Sequence, residues 1–319
     1  MATLLLTQSQ VRSVLTMDMV VPAVERAFAA HGRGEARMPP KVYLDIPEHA
    51  GDFRAMPGAL GDAAGVKWVS VYAENPSRHG LPSVMGLYIL NHPDTALPAA
   101  VLDATLLTAL RTGAAAAVAS KMLYRDEPKS VGFIGCGVQA QAILDAHRFV
   151  FGPGFAVKAA DIRRDAAERF AHENEGEAVS LEDAARCDIV CTATPTRIPV
   201  LRRKWLEGRT HINAMGADAA GKQELETAIL LDAKIYVDDI EQAHHSGEVN
   251  VPIARGQLDP KAARETLGAI VAGRRAAPKN AELTVFDSTG LAIQDAAIAR
   301  VAFEQARSRG IGQQIVFRS

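Results

Sequence analysis

Residues 131–140 read VGFIGCGVQA, and no other stretch of the chain constrains the fold as much. An apolar strand runs into Gly135-x-Gly137-x-x-Ala140, and a helical pattern, VQAQAILDAHRFV, follows directly. A bare GxGxxA match is weak. Here the strand and helix flank it, and Asp161 follows 26 positions after Gly135, close to the usual spacing of roughly 20. Gly135 suits the tight turn, Gly137 lets a pyrophosphate approach the backbone, and Ala140 permits close packing of helix on strand. The phosphates of a dinucleotide would sit at the positive end of that helix. Asp161 would bond the adenosine ribose hydroxyls and repel a 2′-phosphate, which points to NAD. Arg163 and Arg164 leave NADP open, because either can pair with that phosphate. Cys136 reads as a small residue in the turn.

The surrounding pattern extends this reading. FAVKAAD, CDIVCTAT, THINAMGAD, AKIYVDD and LTVFDS are strand-like, and most are separated by helical segments. Strands alternating with helices indicate an α/β fold with a Rossmann-type, doubly wound parallel sheet. Before residue 129 the pattern differs. Thr7 and Thr16 stand where they can cap two helices, and Pro22 must lie near the first turn of the second or kink it. Strand-like runs follow at 42–46, 66–73, 84–90 and 99–104, separated by turn residues, which suggests an antiparallel or mixed sheet. Residues 105–124 read as a long Ala-rich helix. In the last helical segment Ile293, Ala297, Val301 and Ala302 form an apolar stripe, and QQIVF offers a final strand. We therefore expect an α+β domain from residues 1–115, completed by 291–319, and a dinucleotide-binding domain from 116–290.

With 319 residues, 48% of them hydrophobic, the chain can bury a sizeable core. Its net charge is −2 with no basic block, so nothing points to nucleic acid. No apolar run approaches the roughly 18 residues of a membrane span, and the N-terminus lacks the basic start of a signal peptide. Three cysteines make no disulfide framework, and a cytoplasmic location is the simplest expectation.

Several polar residues are candidates for chemistry. Asp218 and Lys222 lie in a Gly/Ala-rich loop after an apolar strand, where ligands bind in such sheets. Asp218 reads equally well as a general base or as the cap of a following helix. Arg111 precedes a run of small residues; its planar fork suits carboxylate or phosphate, although such an arginine is more often a surface charge. Ser288 follows a strand and either caps a helix or meets a cofactor. His244 and His245 are adjacent and diverge on a helix, and no zinc spacing of Cys and His exists, so no metal is expected. Arg54 and Lys67 stand in DFRAMPGALGDAAGVKW, a stretch of mainly Gly, Ala and apolar residues. They are either strand-end surface charges or a pair converging on an anion.

The segments MPPKVYL, FRAMP, GVKWVS, LDATLLTALRTGAAAAVASK, GFIGCGVQAQ, GADAAGKQELE, VDDIEQAHHSGEVN and FDSTGLAIQD resemble the ornithine cyclodeaminase/mu-crystallin family, nearly end to end. The resemblance implies a substrate-binding and dimerisation domain, a Rossmann domain and a homodimer. It matches Lys67 to the family's active-site lysine and Asp218 to its catalytic aspartate. Arg111 and Thr112 match positions near the cofactor phosphates and substrate carboxylate. Val138, Gln139, Asp161, Arg163, Ala217, Asp218 and Ser288 match cofactor-contacting positions. Ornithine cyclodeaminases carry a glutamate at the position of Arg54, which suits a distal amino group. Arginine there matches the branch that deaminates small amino acids, and it lets Arg54 and Lys67 converge on a carboxylate. The implied activity is NAD-dependent oxidative deamination of a small L-amino acid, alanine to pyruvate and ammonium, in a cleft between the domains. Ornithine cyclisation to proline, reduction of cyclic imines such as pyrroline-2-carboxylate, and a mu-crystallin-like binding role are the alternatives.

Overall fold

The computed structural model describes residues 2–278 and 282–317. β1 (Thr3–Leu6) ends at Thr7, whose side chain caps α1 (Gln8–Val14), while the Gln10 side chain returns to the Thr7 backbone. Thr16 holds the cap position of α2 (Met17–Arg33) but makes no side-chain cap bond, and Pro22 lies inside α2 without ending it. Then come β2 (Val42–Ile46), β3 (Gly51–Leu60), β4 (Ala63–Tyr72), α3 (Asn75–His79), β5 (Val84–Asn91), β6 (Pro98–Asp103) and α4 (Ala104–Leu123).

β3 has no counterpart in the sequence reading, because Gly, Ala and Pro argue against an interior strand. The structure shows how Pro57 is accommodated. Ala59 exchanges both backbone bonds with Arg37, so residues of this parity face the β2 side. The β2 ladder reaches only to Val42 opposite Ala55. Pro57 lies beyond that point, where its missing N–H breaks no ladder.

From Ser130 strands and helices alternate: β7 (Ser130–Ile134), α5 (Val138–Phe151), β8 (Ala156–Ala160), α6 (Arg164–Glu173), β9 (Glu177–Ala178), α7 (Leu181–Ala185), β10 (Ile189–Thr192), β11 (Thr210–Ala214), α8 (Thr227–Asp232), β12 (Lys234–Val237), α9 (Ile240–Ser246), α10 (Asn250–Ala254), β13 (Glu265–Thr266), α11 (Leu267–Val271) and β14 (Leu283–Asp287). The sheet order is β13-β12-β14-β11-β10-β7-β8-β9, every pair parallel. Chain order reverses between β7 and β10, so a switch point opens at their carboxyl ends. Residues 114–119 of α4 are buried on every side, which explains a helix of Ala and Val without an apolar stripe. Beneath them Ser120 Oγ meets His147 Nε2 at 2.8 Å and accepts from Asn213 Nδ2 at 2.9 Å. Burial pushes His147 down to about 4, so it stays neutral. This Ser–His contact has no exposure and serves the core, not catalysis.

α12 (Ala292–Ser308) and β15 (Gln313–Ile315) complete the first sheet, whose order is β15-β1-β6-β5-β4-β3-β2. β1 pairs with β6 in parallel and all other neighbours are antiparallel. α12 packs on β3, β4, β5 and α2. Its buried stripe corrects the sequence expectation. Ala297 and Val301 are only partly buried, while Ala292, Asp295, Ala299, Ala302 and Ala306 form the fully buried line. Small side chains face the strands because the helix lies close to them: a Cβ at Gly58 would come within 3.0 Å of the Ala292 Cβ. That rotation places Asp295 in the interior. Residues 1–111 with 291–319 make one compact unit and 112–290 the other, with the boundary inside α4.

Candidate active site

Arg54 and Lys67 are neither strand-end nor surface charges. They lie within β3 and β4, 4% and 1% exposed. Arg54 stands opposite Val69, so it shares the inner face of the sheet with Lys67, diagonally across the ladder. Asp52 on the same strand holds one edge of the Arg54 guanidinium: Nε donates to Oδ1 at 2.6 Å and Nη2 to Oδ2 at 3.1 Å. The Tyr43 ring lies 5.3 Å from its Cζ. Lys67 Nζ forms an ion pair with Asp295 Oδ2 at 2.8 Å and lies 3.3 Å from Thr108 Oγ1. Thr108 and Arg111, three residues apart, share a face of α4. Arg111 Nε is 3.6 Å from Asp295 Oδ1 and, though buried, donates no hydrogen bond. The Tyr88 hydroxyl, opposite Lys67 on β5, is also buried and unpartnered. Burial pushes the Lys67 ammonium down to about 8; Asp295 opposes this, and Arg111 and Arg54 reinforce it.

Among the described residues, the buried cations Arg54, Lys67 and Arg111 thus lie beside the acidic side chains of Asp52 and Asp295. An uncompensated buried charge is costly, and a cluster of buried cations of this kind can accept an anion. Asp295, Asp52, Tyr88 and Thr108 were not singled out from the sequence. Only Asp295 left a signal there, as the lone charge in GLAIQDAAIA.

The dinucleotide-type turn lies at the carboxyl end of β7. Gly135 has φ of 92°, a conformation that favours glycine, and a Cβ there would strike Ala193 O at 2.7 Å. Gly137 differs: beyond its two chain neighbours, no atom of the described residues lies within 4 Å of where its Cβ would stand. The protein itself leaves that space clear, as a cradle for phosphate requires. Gln139 Oε1, in the first turn of α5, is buried without a partner, and Val138 is 72% exposed. Asp161 follows β8 and ties the two loops together, accepting from Cys136 N and Arg163 N, both at 2.8 Å. Each carboxylate oxygen retains a lone pair for a ribose hydroxyl. Arg163 is exposed, and Arg164 is paired with Glu168 at 2.7 Å. Ile162, 99% exposed beside Asp161, escaped the sequence reading and offers apolar surface suited to a nucleobase. Burial, then Asp161, pushes the Cys136 thiol up to about 12, so it is inert as a nucleophile. These residues fit a bound NAD.

Asp218 lies in the loop after β11, beside the fully buried Ala217. It caps no helix, since α8 begins only at Thr227. Lys222 Nζ meets its Oδ1 at 2.6 Å. The loop is fixed from several sides. Gly221 N donates to Asn250 Oδ1 at 2.9 Å, Asn250 Nδ2 to Lys222 O at 3.0 Å, and Arg197 Nη1 to Ala220 O at 3.3 Å. Glu224, fully buried, accepts from Thr192 Oγ1, Thr194 N, Thr194 Oγ1 and Gly216 N. Glu248 accepts from the backbone of Glu224 and Leu225, and Asp287 from that of Glu248 and Val249. Asp238 accepts from Gly290 N at 2.6 Å and from the hydroxyls of Thr289 and Ser288. Ser288 is thus buried and bonded to Asp238; it does not cap α12, which starts after Leu291. Buried carboxylates stitch the loops at the carboxyl ends of β10, β11, β12 and β14, a device the sequence reading missed.

Burial pushes Asp287 up to about 8 and Glu248 well above the carboxylate range. The native state therefore keeps protons that the unfolded chain has lost. Stability from Asp287 is complete below the ordinary carboxylate pKa and is lost as pH rises through about 8. The Tm is expected to fall between about pH 7 and 8.5, where ordinary histidines are mostly neutral. Asp287→Asn cannot ionise and should flatten the slope; a wild-type Tm constant over that range in calorimetry would refute the assignment.

The chain belongs to the ornithine cyclodeaminase/mu-crystallin family, whose profile matches residues 1–310. It is 49% identical to the alanine dehydrogenase of Archaeoglobus fulgidus, with 99% of each chain covered. Its fold is similar to that of an archaeal alanine dehydrogenase dimer solved with bound NAD (TM-score 0.95, 48% identity, 100% of each chain). It is also similar to the Δ1-pyrroline-2-carboxylate reductase of Thermococcus litoralis, solved with NADH and L-proline (TM-score 0.93, 36% identity, 98% of this chain and 100% of that one).

Proposed function

We propose that this chain is an NAD-dependent dehydrogenase that deaminates a small L-amino acid, alanine to pyruvate and ammonium, and runs the reverse reaction. The observation that carries the reading is the buried cation group around Lys67, which has Arg54 in it and no carboxylate in Arg54's place for a second amine. The relatives named alanine dehydrogenase support the same branch.

Arg54 and Arg111 hold the substrate carboxylate, and Asp52 keeps Arg54 aimed. Lys67 takes a proton from the substrate ammonium, leaving the amine free to push electrons toward Cα. NAD, when bound, supplies the hydride acceptor. Asp218 accepts a proton from the water that attacks the resulting iminium carbon. Asp218 passes that proton to the departing amine and takes the hydroxyl proton as the carbonyl forms, so oxidation ends with Lys67 still protonated and the reverse reaction starts from that state. Gly135, Gly137, Val138, Gln139, Asp161 and Ile162 would hold the cofactor, with Arg163, Ala217 and Ser288 in the surrounding loops and Thr112 on α4.

The test is an NADH-absorbance screen of amino acids, and of oxo acids with ammonium, using both NAD and NADP. Alanine with NAD should give net NADH. Cyclic-imine reduction without alanine turnover would move the chain to the reductase branch, and no turnover at all would favour a binding protein. A preference for NADP would overturn the role of Asp161 and point to Arg163.

The functional unit in this reading is a homodimer. The outer face of the first sheet carries Val42, Leu44, Trp68, Leu87 and Ile89, all exposed, with Phe53 stacked on Trp68 at 5.4 Å. Val42, Ala55, Trp68 and Leu87 are successive cross-strand neighbours, so the patch is continuous. A second copy covers it, as continuous exposed apolar patches mark association sites and the archaeal relative is a dimer. Trp68→Glu combined with Leu87→Glu should sediment as a monomer; a monomeric wild type would sink this assembly. The three cysteines are free thiols, which suits the reducing cytoplasm.

A further inference from the structure

The function above uses Lys67 but gives no role to the residue that touches it most closely. Asp295 is 0% exposed and comes from α12, remote in sequence from β4. It is the charged member of a buried helix line otherwise made of alanines, Ala292, Ala299, Ala302 and Ala306. Replacing a buried ion pair by apolar residues is often neutral or stabilising, so the fold alone does not call for a carboxylate here. Its two oxygens serve cations from two elements, Lys67 of β4 at 2.8 Å and Arg111 of α4 at 3.6 Å.

We propose that Asp295 acts on the reaction through Lys67, as the fixed counter-ion that holds its amine in place and keeps a proton available on it. The proposal rests on the reading of Lys67 as the proton carrier. The groups facing Lys67 are Arg54, with Asp52 behind it, from β3; Tyr88 from β5; Thr108 and Arg111 from α4; and Asp295 from α12. Asp295 is the member of this set that forms an ion pair with Nζ. Burial and the two arginines all drive the proton off. Without Asp295, Lys67 would stand neutral between two guanidinium groups. It could then accept a proton at lower pH but would have none to give to pyruvate and ammonium.

The experiment compares wild type, Asp295→Asn, Asp295→Ser and Asp295→Glu. It records kcat against pH in both directions and the titration of Lys67 by 13Cε lysine NMR, assigned by its loss in Lys67→Met. An opposite charge at this distance moves a pKa by ~1–3 units. Asp295→Asn, or Asp295→Ser if the amide does not fold, should move the Lys67 titration and both kinetic limbs down by about one unit or more. Near neutral pH reductive amination should then lose more than oxidation. Asp295→Glu keeps the charge and should keep the limb, at reduced kcat. A folded Asn or Ser variant with an unmoved limb overturns the proposal, as does a Glu variant whose limb falls with theirs. Equal losses in both directions with the limb in place show a merely structural residue. A wild type without alanine activity defeats the functional reading instead, and the NMR titration still reports on Asp295.

Discussion

Lys67→Ala should lower kcat for alanine oxidation by about 10²–10⁴-fold, the usual contribution of a general acid–base group. NAD affinity should stay near that of the wild type, because the dinucleotide turn lies around Gly135 and Asp161. The size of the effect follows from the setting. The amine is 1% exposed, so bulk water cannot replace it as a proton carrier. Burial also places its proton affinity near about 8, close to working pH, where a group can both take and give a proton. The wild-type oxidation rate should accordingly rise as pH rises through about 8, and reductive amination should fall. Lys67→Met, which keeps the apolar stem, separates lost chemistry from lost packing. Steady-state kinetics with isothermal titration of NAD provide the check, and a variant with near wild-type turnover would remove Lys67 from the mechanism.

Arg54→Glu should lower kcat/KM for alanine by about 10²-fold or more, since breaking a buried charge contact costs about 2–5 kcal/mol. The loss should fall mainly on KM, because a carboxylate clamp becomes a repulsive charge. The introduced carboxylate would also stand beside Asp52, which now holds the guanidinium at 2.6 Å. Arg54→Gln is the companion variant, free of that repulsion, and should show a smaller loss in the same direction. The wild type should form little proline from ornithine, whose distal ammonium meets Arg54, and the Arg54→Glu variant should admit ornithine weakly. Proline and ammonia made efficiently by the wild type, without NADH accumulating, would overturn the substrate assignment.

These expectations draw unequally on sequence and structure. The turn at Gly135 was legible because its constraints are local: a positive φ, a strand before it and a helix after it all lie within a few residues. The parallel sheet was legible for a similar reason, since alternation of buried strands and helices is written residue by residue. β3 was not. Pro57 argues against a strand until one knows that β2 has ended opposite it. The stripe of α12 was half legible: Ile293 and Ala302 are buried, but Val301, which outweighs alanine on any hydrophobic scale, is only partly so. The sheet, lying close, selected the smaller side chains instead.

The sequence by itself thus determined the two kinds of sheet, the dinucleotide turn and the residue types available for chemistry, because backbone conformation and hydrophobic period act over short distances along the chain. Only the tertiary structure decided that Arg54 and Lys67 are buried and share a face, that Asp295 is the carboxylate between Lys67 and Arg111, and that Glu224, Glu248, Asp238 and Asp287 hold the loops. Each of those facts joins residues far apart in the chain, and whether a charge is solvated or paired depends on which elements pack against it.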